Sequence, residues 1–178
     1  MIHKKQRWWI LFGAMSLIVL AWSSISVWPL FRFERELQQV CSQADQIVVD
    51  FNAMPSDEAF GGKIARMPSV PIGGAEKVKE FADILRFKVP GFVGHCRCFG
   101  ELAFRLDKGG KPFKKLTFHH GESLRWCSLD CGTPNFELTE SSRKQLMDWL
   151  AKNGGPALEQ ARAQAEAIWK DIADQSSE

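Results

Sequence analysis

The sequence predicts an α+β protein: an N-terminal transmembrane helix followed by a small antiparallel three-stranded sheet packed on helices. Three observations carry that expectation. Residues 8–31 form an uncharged apolar run behind a basic tail, residues 102–126 alternate apolar and polar side chains between turn signals, and most other apolar residues recur at helical steps of three and four.

The apolar run, WWILFGAMSLIVLAWSSISVWPLF, holds 18 apolar residues in 24 and no charge. At about 1.5 Å per helical residue it is long enough to cross a hydrocarbon core of about 30 Å. Trp8 and Trp9 at one end and Trp28 at the other would place indoles in both interfacial belts. Lys4, Lys5 and Arg7 precede the run, which predicts a cytoplasmic tail (1–7), a single-pass signal anchor (8–31) in contact with the lipid bilayer, and an extracytoplasmic remainder. The alternative is a secretory signal cut near Ser24-Ile25-Ser26, releasing the rest. Against cleavage, Val27, Trp28, Leu30 and Phe31 continue the apolar stretch beyond that point.

After the run, Phe33, Leu37, Val40, Ala44 and Ile47 step by four and three, which predicts a juxtamembrane helix within 32–52. Residues 53–74 contain Pro55, Gly61, Gly62, Pro68, Pro71, Gly73 and Gly74 and read as a loop. An α+β domain is expected over 75–178. It opens with a helix from about Ala75 to Phe87, on which Val78, Phe81, Ala82 and Leu85 share a face.

The period then drops to two. Leu102, Phe104 and Leu106 alternate with Glu101, Arg105 and Asp107, and Gly109-Gly110 turns the chain. A three-residue loop sets Leu102 across from Phe118 and Phe104 across from Leu116; a two-residue loop sets Phe104 against Lys115. Apolar pairing selects the first register. A second turn at His120-Gly121-Glu122 brings Leu124 opposite Phe118 and Trp126 opposite Leu116. Thr139 is the expected N-cap of a helix carrying Leu146, Met147, Trp149 and Leu150, stopped at Asn153-Gly154-Gly155, and Pro156 opens the last helix.

Composition narrows the function. Of the 23 basic residues, three lie in the tail, so the part after residue 31 carries 20 basic and 21 acidic side chains. Such a near-neutral surface argues against nucleic-acid binding. No phosphate-binding loop, dinucleotide fingerprint, H-E-x-x-H or G-x-S-x-G occurs, so no cofactor is indicated by motif.

Five cysteines follow the apolar run: Cys41, Cys96, Cys98, Cys127 and Cys131. In an exported domain they predict disulfides, Cys127 with Cys131 locally and Cys96 or Cys98 elsewhere, with Cys41 as one partner. Cys96, Cys98, His119, Cys127 and Cys131 also resemble a zinc ligand set in composition. Their spacing departs from it, because C-x-C on a strand sends its two thiols to opposite faces. A third reading makes Cys98 a nucleophile activated by His119 or His120, in a hydrolase or a thiol-redox protein. The plainer reading of His119-His120-Gly121-Glu122 is a turn with solvated imidazoles. The expected function is therefore binding or scaffolding of a protein partner at the membrane surface, with the thiol enzyme and the zinc module as alternatives.

Overall fold

The computed structural model describes residues 27–51, 67–93, 100–127 and 134–175. Its organising unit is the meander of strands β4 (Leu102–Lys108), β5 (Lys111–His119) and β6 (Ser123–Trp126). Two demands meet in the first hairpin. Gly109 and Gly110, at φ 59° and 72°, make a two-residue turn, whose twist suits hairpins and whose positive φ values favour glycine. Continued unbroken, that turn would oppose Phe104 to Lys115. A bulge at Phe113 restores the apolar register: Lys108 pairs with Lys111 and Asp107 with Pro112, whereas Leu106 pairs with Lys114, Phe104 with Leu116 and Leu102 with Phe118. The expected partners are thus reached by a two-residue turn and a bulge instead of a three-residue loop. Across the next turn Phe118 faces Leu124 and Leu116 faces Trp126, as the alternation predicts.

Four further strands extend the meander to seven, in the order β2-β1-β4-β5-β6-β7-β3, with every neighbouring pair antiparallel. They are β1 (Gln46–Asp50), β2 (Ser69–Gly73), β3 (Phe87–Val93) and β7 (Asn135–Leu138). The two outer strands each contain a proline, Pro71 in β2 and Pro90 in β3, and β3 is also bulged between Phe87 and Phe92. Proline withholds a backbone donor, so both edges resist pairing with another strand.

Three helices cover one face of the sheet. Helix α1 (27–41) contributes Leu30, Phe33, Leu37, Val40 and Cys41 to the core. Helix α2 (Ala75–Ile84) contributes Val78, Phe81 and Ala82. Helix α3 (Glu140–Gln175) contributes Leu146, Trp149 and Leu150, and beyond a kink Ala161 and Ala165. Phe81 joins the layers, its ring centroid 4.8 Å from that of Phe104 and 5.4 Å from that of Trp149. Thr139 caps α3 by accepting the Ser142 backbone N–H at 3.2 Å. The kink lies at Gly155, with φ 51° and ψ −146°, and Pro156 starts the second segment.

Several expectations are corrected. The three-stranded sheet is part of a seven-stranded one. The helix expected over 32–52 ends at residue 41, because Ile47, Val48 and Val49 form a central strand that is buried on both faces. The stretch read as a loop over 53–74 contains β2 at Ser69–Gly73, since an edge strand tolerates proline.

The transmembrane assignment, and the single-pass topology built on it, are also corrected. Among the described residues no helix is long and apolar enough to cross a membrane. Residues 8–26 of the expected span lie outside the described residues, and 27–31 are the start of α1, where Leu30 is only 3% exposed against the sheet. The expected disulfides are corrected where they can be followed. Neither Cys41 nor Cys127 is in a disulfide. Cys41 lies on the buried face of α1, where loss of solvation pushes its thiol up to about 12.

Candidate functional site

Helix α1 positions two of the exposed large apolar side chains, Trp28 and Phe31. At about 100° per residue, Leu30, Phe33 and Leu37 share the face turned to the sheet, and Trp28 and Phe31 fall outside it. Trp28 is 64% and Phe31 53% exposed, with ring centroids 6.1 Å apart. Below them Phe33 fixes the helix to the sheet: its ring stacks on Phe136 at 4.3 Å and meets Phe87 edge-on at 5.3 Å.

A cleft opens on each flank of α1. One, of about 390 Å³, is lined by Trp28, Pro29, Arg32 and Phe33 from the helix and by Trp126 and Phe136 from the sheet. The other, of about 500 Å³, is lined by Phe31, Glu34 and Arg35 from the helix and by Leu85, Arg86 and Phe87 from the α2–β3 connection. At the first cleft, Lys114 pairs with Glu36 at 3.1 Å and lies 5.2 Å from the Trp126 ring centroid. At the second, the Arg86 backbone is held by α3: its N–H donates to the Ser142 hydroxyl at 3.0 Å, and its carbonyl accepts the Thr139 N–H at 2.9 Å. The guanidinium donates to the Leu85 carbonyl at 2.7 Å.

The second face of the sheet is polar and also largely buried. Arg105 sits between two carboxylates, with Nε 2.9 Å from Asp107 Oδ1 and a terminal nitrogen 3.4 Å from Asp50 Oδ1. Lys115 Nζ lies 3.9 Å from Asp50 Oδ2. Burial raises the Asp50 carboxyl above its ordinary range against the opposing pull of Arg105 and Lys115. Burial lowers the Lys115 ammonium.

Along β5 and β6, Thr117, His119, Ser123 and Arg125 are at most 5% exposed. The Thr117 hydroxyl donates to the Arg125 carbonyl at 3.3 Å and stands 2.8 Å from His119 Nε2. Burial, together with the nearby Arg125 and His120, pushes His119 down to about 4. Gly100 makes room for the ring: a Cβ there would lie 2.7 Å from the Phe118 carbonyl and 3.2 Å from His119 Cε1.

The residues singled out from sequence fall as follows. His119 is a fully buried histidine, and His120 occupies the turn at φ 53°, with the two ring centroids 6.5 Å apart. Cys127 follows β6, its N–H donating to the Lys115 carbonyl at 2.8 Å. Cys96, Cys98 and Cys131 lie outside the described residues. Among the described residues no group of three metal-ligating side chains converges.

Sequence reasoning missed the clefts and the Asp50–Arg105–Asp107–Lys115 cluster. Trp28 and Phe31 had been assigned to a membrane span. The alternation of Arg105 and Asp107 with apolar neighbours was a signal for the second face, but it does not reveal that this face is buried.

Neither the family models, the curated proteins nor the solved structures compared with this chain include a match.

Proposed function

We propose that this chain is a non-catalytic binding domain that receives an apolar segment of a partner protein across the N-terminal end of α1. One observation carries the reading: Trp28 and Phe31 stand in solvent as a neighbouring pair on a helix otherwise anchored in the core, with a largely apolar cleft beside Trp28 and a mixed apolar and charged one beside Phe31. Exposed aromatics beside preformed apolar clefts are typical anchors of recognition surfaces. The edge prolines support it further, because they direct recognition to side-chain surfaces and away from strand addition.

The test is selection of displayed random peptides on the full-length chain, repeated with the double variant Trp28→Ala/Phe31→Ala. Enrichment of apolar peptides that the variant no longer binds supports the proposal. No enrichment, or enriched peptides that bind the variant equally, sinks it. Thermal unfolding should be nearly unchanged in the variant, because both rings are mostly exposed.

A further inference from the structure

Three arginines surround this surface, and their ionic state separates them from the other cations nearby. Lys114 is matched by Glu36, Lys88 by Glu137, and Arg143 by Glu122 and Glu140. Among the described residues, none of Arg32, Arg35 and Arg86 is within ion-pair distance of a carboxylate. Arg35, on α1, and Arg86, just before β3, line the same cleft together with Leu37, Leu85 and Phe87. Glu34 shares the lining, so the cleft retains an excess of positive charge.

Arg86 is also pre-positioned. Its backbone is bonded on both sides to the start of α3, and one guanidinium N–H is spent on the Leu85 carbonyl, which restrains the side chain. Ordering this side chain ahead of binding removes part of its entropic cost. Guanidinium forks beside apolar surface suit a planar, two-oxygen anion attached to a greasy segment.

We infer that the bound partner segment carries an aspartate or glutamate side chain, seated between Arg35 and Arg86, next to the apolar residues that cover Trp28 and Phe31. This rests on the binding reading above and narrows it to an acidic-apolar peptide. Charge complementarity decides for such a peptide over an uncharged one. A protruding aromatic pair with a cleft on each side suits an extended polypeptide, which can run from one cleft to the other.

The experiment takes the strongest peptide selected on the full-length chain and measures its affinity by fluorescence anisotropy for the wild type, Arg35→Glu/Arg86→Glu, and the milder Arg35→Gln/Arg86→Gln. The expected result is an Asp or Glu in the selected peptide and an affinity loss of about ten- to a hundredfold in the reversal variant, the usual range for a lost charge-assisted hydrogen bond. A peptide with Lys at that position should recover binding to the reversal variant. The Gln variant should lose affinity in the same direction, which guards against misfolding of the reversal variant.

Selected peptides without a carboxylate, or equal affinity for all three proteins, overturn the inference. If Trp28→Ala/Phe31→Ala still abolishes binding in that case, the binding reading survives alone; if it does not, both fall. Failure to select any peptide, combined with cosedimentation with phosphatidylglycerol vesicles that depends on Arg35 and Arg86, overturns the inference in favour of a phosphate-bearing lipid surface.

Discussion

Both faces of the sheet bury side chains, one of them completely and the other in larger part, and the chemistry of the two is unlike. On the helix-covered face Ile47, Phe104, Leu106, Leu116 and Leu124 are 0% exposed and belong to one hydrophobic cluster with residues of the helices and the adjoining strands. On the other face Asp50, Asp107, Thr117, His119, Arg125 and Asn135 are each at most 8% exposed, though every one of them is polar or charged. The first face is held by non-directional burial, which tolerates small shifts. The second is held in part by directional contacts, among them Arg105 with Asp50 and Asp107 and Thr117 with His119 and the Arg125 carbonyl, so those members depend on one another.

That contrast can be broken from the apolar side first. Phe104→Ala removes a ring packed on Phe81 and Phe118 and is expected to cost about 3–5 kcal/mol, read as a lower urea midpoint with an unchanged slope. A loss below about 1 kcal/mol would mean that this face is loosely packed.

The polar face should reveal itself through pH. His119 binds its proton at about 4 in the fold, against an ordinary 6.5 in the unfolded chain. Between those values the unfolded chain holds more protons. Stability therefore rises with pH through that window and falls on acidification, by on the order of 3 kcal/mol in full. His119→Gln should flatten the dependence between pH 4 and 6.5. An equally steep profile in that variant would show that His119 is not its source.

A smaller effect tests how closely the faces are fitted. Gly100 has φ +94°, and an added Cβ would approach the Phe118 carbonyl to 2.7 Å. Gly100→Ala is expected to cost about 1–3 kcal/mol by chemical denaturation, from the strained φ and the contact together. The smallest effect is the coupling of Asp50 to Arg105. The guanidinium is 31% exposed on its side chain and also pairs with Asp107, so a double-mutant cycle with Asp50→Asn and Arg105→Gln should return roughly 0.5–1 kcal/mol. A coupling near zero would make Asp107 its main partner.

Sequence legibility followed the same division. The meander register was readable from Leu102 to Trp126 because strand alternation and glycine turns are both local, and the bulge at Phe113 reconciles the two signals. Strand β1 was misread as helix. Ile47 happens to continue the three-and-four stepping of Phe33, Leu37, Val40 and Ala44, so periodicity alone could not end α1 at residue 41. Strand β2 was hidden by Pro71, which is acceptable only because the strand lies at an edge, a fact set by its partners. The candidate surface was hidden differently. Composition shows that Trp28 and Phe31 are apolar but not which way each one faces.

What the chain alone determined is whatever adjacent residues decide between themselves: the places where the meander turns, the pairing of Phe104 with Leu116, the Thr139 cap and the break at Gly155-Pro156. What only the assembled fold decided is how many strands join the meander, that much of the polar face is buried, and that Arg35 and Arg86 line one cleft. Those outcomes depend on contacts between residues about 50 positions apart. No local preference encodes such contacts, because their free energy exists only once several elements have already packed.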